Sequence, residues 1–471
     1  MQSQPSTNIV FKTIAISVFC CIILLLSKDI GFFWDNTLLC SKMGHYLYNN
    51  NLFTLNIPEN FDPGHPPTLA FIQALGWQLF GKTLFVSHLI MMPFLFGLVW
   101  QLHSFICYFT QNKWHQIIAI AFVFCDPTIL AQCFFIGQEV PQLFFFLLAL
   151  NQLLKGNYIL KCAALLCLSI CSVRGMMLCG SFFLFEVFYS TTILKKIKLV
   201  FTRQNIICYI IASSAAVGFI IWRVVNKGYF LLHENSQWGN LAEFVDFKGF
   251  IFNLKVLIHR YLDFGRVAII VFIAIVFIIY KKKLLKNNNI KLLLAATILS
   301  TSIITIVSLA ATNTIGHRYF ALSFLLMHLL ALYVIQTFVA HKKIIILFVL
   351  GIVLITGNLW QYPQRYAQGW DASLRSLPYF NLRNQAITYL NNNNINLNNV
   401  GTFFPNIYSN EEINLIGDTT TFAAFDSTNT YVLFANIYNQ KPEQYQYILS
   451  NYTPIKHYEN LGIWVEVLKR K

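Results

Sequence analysis

Acidic side chains are the chemically distinctive residues of this sequence, because only 11% of its residues carry a charge. Three of them, Asp35, Glu59 and Asp62, lie in the segment that follows the first hydrophobic run. A His-Pro-Pro triplet at 65–67 comes next and leads into an apolar run that ends at Gly81. A carboxylate can act as a general base or as a metal ligand. We therefore expect this segment to form the front wall of an active site, with Asp35 as its catalytic group.

Further polar side chains stand at the ends of later hydrophobic runs. They are Asp126, Glu139, Arg174, Arg260, Arg266, His317 and Arg318. Arginine matches the geometry of phosphate groups, so acids that face arginines and histidines over an apolar bundle suit a lipid-phosphate substrate. We expect six residues to bind the lipid phosphate or the sugar attached to it. They are Asp62, His65, Arg174, Arg260, His317 and Arg318.

Each of these residues also has a purely structural interpretation. Asp35 could cap an interfacial helix, and the two prolines after His65 suit the first turn of a helix. Glu139 could be a helix-start acid that the helix dipole favours, and Arg174 could extend its charge to the membrane surface. Asp126-Pro127 is a common turn-forming dipeptide. These alternatives stay open at the level of sequence.

The composition is that of a polytopic helical membrane protein. Of its 471 residues, 56% are hydrophobic, and the mean hydropathy is +0.56. Apolar runs long enough to cross a bilayer recur over most of the first 360 positions. We predict about eleven transmembrane helices, near 8–27, 85–109, 115–131, 140–154, 158–173, 175–192, 206–224, 266–280, 291–311, 319–340 and 343–360.

The charges indicate the orientation of the chain in the membrane. With a cytoplasmic N-terminus, the inner loops hold Lys12, Lys113, Lys155, Lys161 and three further basic groups at 195–203, 281–291 and 342–343, and they hold no acid. The acids fall on the other side, apart from Glu186 within a span: Asp29, Asp35, Glu59, Asp62, Asp126, Glu139, Glu234, Glu243, Asp246 and Asp263. This is the positive-inside pattern, and it explains the net charge of +15.

Two modules follow from this pattern. Residues 1–360 form a transmembrane module with outer loops at 28–84 and 225–265, and the second loop is expected to hold interfacial helices. Residues 361–471 are polar and Asn-rich and are predicted to form a small extracytoplasmic α/β domain. Strands are predicted at 400–404 and 431–438, a helix at 442–449, and a hairpin at 455–467 that turns around Asn460-Leu461-Gly462.

Several classes of function are disfavoured. The sequence has no Gly-rich dinucleotide motif, no phosphate-binding P-loop and no His-Glu-x-x-His motif. Its basic residues are spread over many loops, so we expect no nucleic-acid partner. The eleven cysteines have no paired metal-ligand spacing, and we interpret them as packing residues.

The order of the polar motifs resembles the GT-C glycosyltransferases, and within them the branch of the dolichyl-phosphate-mannose–protein mannosyltransferases and aminoarabinose transferases (PMT/ArnT-like, glycosyltransferase family 39 related). The resemblance covers about residues 10–340 and rests on Asp35, the HPPT segment at 65–68, Phe80-Gly81, Glu139-Val140-Pro141, Arg174-Gly175 and Arg318-Tyr319. Asp35 is followed by Asn36, where that family often has a second acid.

This resemblance implies an inverting transfer of a sugar from a polyprenyl-phosphate donor to a protein, lipid or glycan acceptor, at the outer face of the plasma (inner) membrane. It implies Asp35 as the group that activates the acceptor, and Glu139 as the ligand of a divalent metal ion or of the sugar. Two other classes remain: a transporter or flippase of lipid-linked glycans, and a non-catalytic membrane assembly partner. Scattered positions of Asp35, Glu139 and Arg318 would favour the assembly partner.

Overall fold

The protein is mostly helical, and a small sheet lies near its C-terminus. The computed structural model describes residues 9–230, 243–312, 314–339, 341–363 and 366–471. Residues 231–242 of the predicted outer loop 225–265, among them Glu234, lie outside the described residues. The helices up to the middle of the chain are α1 Ile9–Ser27, α2 Met43–Asn49, α3 Thr68–Phe80, α4 Leu84–Phe109, α5 Lys113–Phe124, α6 Pro127–Phe134, α7 Glu139–Lys155, α8 Tyr158–Cys171, α9 Val173–Phe188 and α10 Arg203–Lys227.

Among the described residues, the second half of the helical region has six α-helices, and the C-terminal region adds three more. They are α11 Phe247–Leu262, α12 Arg266–Leu284, α13 Asn288–Leu299, α14 Ser302–Ala310, α15 Ala321–Phe338, α16 Lys343–Thr356, α17 Pro378–Asn392, α18 Asn410–Asn414 and α19 Pro442–Asn451. Every predicted span coincides with one or two of these helices, so the prediction of an all-α membrane protein with a small C-terminal α/β region is confirmed.

The number of spans depends on how bent and short helices are counted. Within the described residues, six helices are long and apolar enough to cross a membrane, or up to eight if each of two bent pairs is one span. Helices α5 and α6 are bent by 79° relative to each other, so the span predicted at 115–131 is a pair of helices with a break between them. The bend lies at Asp126-Pro127, since Pro127 has no N–H to continue the helix and Asp126 Oδ1 caps the new one through Thr128 N at 2.8 Å.

Buried ion pairs join the helices of the bundle. Arg266 at the start of α12 binds Asp126 at the α5–α6 bend, with Nε 2.7 Å from Oδ2. Between α8 and α9, Lys161 Nζ lies 2.9 Å from Glu186 Oε1, and both side chains are almost fully buried. Lys161 lies within α8 and not in a loop as predicted. A buried cation is costly without a partner, and Glu186 is that partner.

The C-terminal region is an α/β unit that packs on the first loop. Its five strands are β1 Val400–Thr402, β2 Ala423–Ala424, β3 Tyr431–Ala435, β4 Tyr452–Asn460 and β5 Ile463–Arg470, in the order β2-β1-β3-β5-β4. Strand β1 is parallel to its two neighbours, and the other pairs are antiparallel. Residues Leu461 and Gly462 have φ of 50° and 74°, the geometry of a two-residue hairpin turn, as the sequence predicted.

Polar contacts fix the C-terminal unit to the bundle. Glu411 forms an ion pair with Lys82, at the α3–α4 junction, and lies within hydrogen-bond distance of His45 of α2, whose Nε2 is 3.2 Å from Glu411 Oε1. The backbone N–H of Phe32 donates to the carbonyl of Ile413 over 2.9 Å. The segment that carries Asp35 is therefore held by residues from the far end of the chain.

Candidate active site

Arg318 lies at the centre of a buried cluster of charges. It belongs to the short 3-10 turn His317–Phe320 that precedes α15, and it is 3% exposed. Its Nη2 donates to Asp35 Oδ2, and its Nε lies 3.1 Å from Asp371 Oδ2 and 3.6 Å from Glu139 Oε1. Burial of a cation is costly unless it is paired, and here three carboxylates surround one guanidinium.

Arg174 adds a second cation to the cluster. Its Nη2 lies 3.0 Å from Glu139 Oε1, so Glu139 sits between two guanidinium groups. The Arg174 guanidinium also stacks on the ring of Tyr319, 4.2 Å from its centroid. The stacking fixes the direction in which the remaining N–H groups of Arg174 point.

Asp35 is presented by a strained segment of backbone. Trp34, just before it, has φ of 56°, a left-handed conformation that a bulky side chain rarely adopts. Aromatic contacts hold this conformation: the Phe33 ring packs against Phe135 at 5.4 Å, and the Trp34 ring against Phe404 at 5.2 Å. The Asp35 side chain is 21% exposed, against 2% for Glu139 and 11% for Asp371, so Asp35 is the carboxylate that an incoming molecule reaches first.

Glu139 is placed by the start of a helix and by a close backbone contact. It is the first residue of α7, where the helix dipole favours a negative charge. A Cβ at Gly137 would lie 2.7 Å from Glu139 Oε2 and 2.7 Å from Asn36 Nδ2. Glycine at this position therefore lets the α6–α7 loop approach the segment of Asp35.

His65 reaches the cluster as a neutral ring. Its Nδ1 accepts a hydrogen bond from the backbone N–H of Val173 over 3.4 Å. Burial, together with the positive charges of Arg174, Arg223 and Arg318, lowers the pKa of His65 to about 3. With Nδ1 as acceptor, the assigned tautomer carries its proton on Nε2, so His65 offers a neutral N–H donor at physiological pH.

Asp371 is the member of the cluster that the sequence analysis missed. It lies in the 3-10 turn Trp370–Ala372, just after the last predicted span. Burial raises the pKa of Asp371, the Arg318 guanidinium opposes this, and the charges of Asp35 and Glu139 raise it further. An acid in the segment that follows the last predicted span, on the predicted outer face of a chain with 19 acids, is the signal that could have identified it.

The cluster contains polar atoms that no other described residue satisfies. They are Asn36 Oδ1, Gln138 Nε2, both carboxylate oxygens of Glu139, Arg174 Nη1 and Arg318 Nη1. The contact between Arg174 and Glu139 is thus an ionic one, without the alignment of a hydrogen bond. Buried polar atoms are nearly always hydrogen-bonded, so these atoms have the capacity to bind a further polar group or water.

An apolar cavity adjoins the cluster on the side of His65. It has a volume of about 650 Å³ and is lined by Leu52, Phe53, Thr54, Leu55, Pro66, Pro67, Thr68, Phe71, Ile170, Met176, Ala215, Gly218, Phe219 and Trp222. Pro66 also lines a small pocket with His65 and Gln138, so the two regions are neighbours. The buried polar cluster therefore lies next to an apolar cavity between α3, α9 and α10.

Three of the predicted phosphate-binding residues lie in other contacts. Asp62 Oδ2 is 2.9 Å from Arg223 Nη1 and also pairs with Lys227, both at the end of α10. His317 Nε2 lies 2.6 Å from Asp263 Oδ2, and Arg260 Nε donates to the carbonyl of Ile315 over 2.9 Å. The structure thus brings Asp35, His65, Glu139, Arg174 and Arg318 together, and places Asp62, Arg260 and His317 around them.

Two places bear on a divalent metal ion. Glu139 faces two guanidinium groups, which repel a metal cation, so the residues around it do not fit the metal that we predicted there. His259, Asp263 and His317 bring their ligand atoms within 4.8 Å of one another, a donor set that can hold Zn²⁺. No step of the chemistry below depends on a metal.

Comparison with known proteins gives one loose structural likeness. No family model matches the sequence, and no curated protein matches it. The fold is similar to the crystal structure of ArnT from Cupriavidus metallidurans bound to undecaprenyl phosphate, with 10% sequence identity over 98% of each chain and a TM-score of 0.45. A likeness of this strength assigns no substrate and no site residue.

Proposed function

We propose that this chain is a membrane glycosyltransferase that moves a sugar from a polyprenyl-phosphate donor to an acceptor hydroxyl of a protein, lipid or glycan. The observation that carries the proposal is the convergence of Asp35, Glu139, Arg174, Arg318 and His65 beside an apolar cavity. A donor that joins a phosphate to a long apolar chain needs these two environments side by side. The motif order that resembles the GT-C glycosyltransferases supports the same reaction class.

Asp35 is the proposed general base. The acceptor oxygen attacks the anomeric carbon while its proton passes to an Asp35 carboxylate oxygen, and the bond from that carbon to the phosphate oxygen breaks. The bonding electrons leave with the polyprenyl phosphate, and attack from the opposite side inverts the anomeric configuration. Asp35 suits this role because it is the most exposed of the three carboxylates.

The leaving phosphate is proposed to bind the unpaired donors of the cluster. The Nη1 groups of Arg174 and Arg318 have no hydrogen-bond partner among the described residues, whereas the other nitrogens of Arg318 already face carboxylates. Fixed donors aimed at developing charge lower the barrier of such a transfer.

The apolar cavity is proposed to hold the first isoprene units of the donor. Its walls are aliphatic and aromatic, and it begins at Pro66, next to His65. A chain that lies there places its phosphate at the arginines without burying a charge in an apolar wall. In this arrangement the cavity selects for the lipid, and the polar cluster performs the chemistry.

The test is a transfer assay with purified full-length protein in nanodiscs. A panel of polyprenyl-phosphate sugars is offered with candidate acceptors extracted from cells that lack the chain, and products are identified by mass spectrometry. We expect release of polyprenyl phosphate in an amount equal to the sugar transferred. If no donor in the panel is consumed, and the surface glycans of cells with and without the chain are identical, the proposal is wrong.

A further inference from the structure

A second polar pocket lies at the end of the bundle opposite the candidate active site. Helix α7 begins at Glu139 in the active-site cluster and ends at Lys155 in this pocket, a length of about 25 Å at 1.5 Å per residue. The pocket has a volume of about 260 Å³ and is lined by Ile9, Lys12, Trp100, His103, Ser104, Cys107, Gln111, Lys113, Gln116 and Lys155. It takes no part in the proposed transfer.

Three lysines from three helices supply the charge of this pocket. Lys12 comes from α1, Lys113 from the start of α5 and Lys155 from the end of α7, and none of the described residues that line the pocket is acidic. Lysines at the ends of spans follow from the positive-inside rule alone, but that rule does not require them to share a cavity. The convergence creates a positive potential that attracts an anion.

One of the lysines is fixed in place. Lys12 Nζ lies 3.7 Å from the centroid of the Trp100 ring, a cation–π contact that holds the ammonium at the wall of the pocket. Gln111, in the loop between α4 and α5, lines the same pocket; its amide nitrogen donates one N–H to the Cys107 carbonyl and carries a second. The pocket therefore combines ordered positive charge with hydrogen-bond donors, which is the chemistry of a phosphate site.

Exposed apolar side chains lie on the pocket or next to its lining residues in the sequence. Ile9, which lines the pocket, is 69% exposed; Trp114 follows Lys113 and is 73% exposed, and Tyr108 follows Cys107 and is 50% exposed. Trp and Tyr are enriched where a membrane meets water, with the ring at the level of the headgroups. Positive charge and exposed apolar side chains therefore occur close together, as the headgroup and the acyl chains of an anionic lipid require.

We propose that this pocket binds the phosphate headgroup of an anionic phospholipid of the leaflet opposite the candidate active site. Lys12, Lys113 and Lys155 bind the phosphodiester, and the acyl chains run along the exposed apolar face of α1. A basic pocket between membrane helices on the cytoplasmic side is a known mode of anionic-lipid recognition. The proposal does not depend on the proposed glycosyl transfer.

The test measures lipid retention by native mass spectrometry of the full-length protein. The protein is released from nanodiscs that contain equal amounts of phosphatidylglycerol and phosphatidylcholine. We expect selective retention of phosphatidylglycerol by the native chain and a roughly 30-fold loss of that preference in Lys113→Gln/Lys155→Gln. Both side chains are exposed, so this variant is expected to fold.

A matched control replaces two exposed lysines at the same end of the bundle, Lys281→Gln/Lys282→Gln, which lie in the last turn of α12 and do not line the pocket. The control should retain phosphatidylglycerol as the native chain does. Equal retention of both lipids by the native chain would overturn the proposal. A second result would also overturn it: inorganic phosphate raises the melting temperature only when Lys113 and Lys155 are present, and neither lipid is retained selectively. That result would assign the pocket to a soluble anion.

Discussion

Replacement of Asp35 by asparagine is the most direct perturbation of the candidate site. Asparagine keeps the shape of the side chain and can still accept a hydrogen bond from Arg318, but it cannot take a proton from the acceptor. General-base catalysis contributes about 10²–10⁴ in rate, which corresponds to roughly 2.7–5.4 kcal/mol of barrier at 1.36 kcal/mol per tenfold. We expect kcat of Asp35→Asn to fall by a factor in this range.

Binding of the donor should respond differently from turnover. Arg318 keeps Asp371 at 3.1 Å and Glu139 at 3.6 Å, so the guanidinium is not left without a partner. One of its three competing carboxylates loses its charge, which makes Arg318 more available to phosphate. The KM for the donor is therefore expected to stay constant or to decrease, while kcat falls.

The stability of the fold should change little in this variant. A hydrogen bond to a charged group contributes about 1.5–3 kcal/mol, and its weakening is partly offset because repulsion between Asp35 and Asp371 disappears. Asp29→Asn is the matched control, since Asp29 lies six residues earlier with a side chain that is 87% exposed. Full turnover by Asp35→Asn at saturating donor, measured as product by mass spectrometry, would refute the role of Asp35.

Three further outcomes test other parts of the structure. Gly218→Leu should raise the KM for a long-chain donor on the order of tenfold and leave the KM for a short-chain donor unchanged. A Cβ at Gly218 meets no atom within 4 Å, so the leucine side chain can extend into the apolar cavity. Equal effects on both donors would contradict the placement of the lipid. His65→Asn should leave the shape of the pH–rate profile between pH 5 and 8 unchanged, because the pKa of His65 is lowered to about 3 and the ring stays neutral over that range. A change of rate near pH 6.5 that is present in the native protein and absent from the variant would contradict this assignment. Glu411→Gln should lower the melting temperature at pH 7. Burial by itself raises the pKa of Glu411, but hydrogen bonds from Lys82, the Gly417 N–H and His45 outweigh burial and hold that pKa below its usual value of 4.5. A lowered pKa contributes stability above pH 4.5 that is lost as the pH falls through the folded-state pKa, so the difference in melting temperature should shrink on acidification.

Local features of the architecture were predictable because their causes are local. Each apolar run became a helix, since a backbone in lipid must satisfy its own hydrogen bonds. The hairpin around Leu461-Gly462 follows from residues that accept positive φ. The bend at Asp126-Pro127 is equally local, since it follows from the Asp126 cap and from the missing N–H of Pro127, a dipeptide that the sequence analysis gave as turn-forming.

The composition of the site was only partly predictable, because its members come from distant parts of the chain. Asp35 and Arg318 are separated by 283 positions, and Asp371 comes from a region that was predicted to be a separate domain. Charge topology could place these groups on one face of the membrane. It could not tell that Asp62 pairs with Arg223 and Lys227, or that His317 pairs with Asp263.

The sequence by itself determined that this is a helical membrane protein, because hydrophobicity acts residue by residue. Only the tertiary structure decided which acids share Arg318, since that choice depends on helix packing and on the contact of the C-terminal unit with the first loop. The same packing made Asp35 the exposed carboxylate and kept Glu139 buried. It also gathered Lys12, Lys113 and Lys155 into one pocket at the other end of α7.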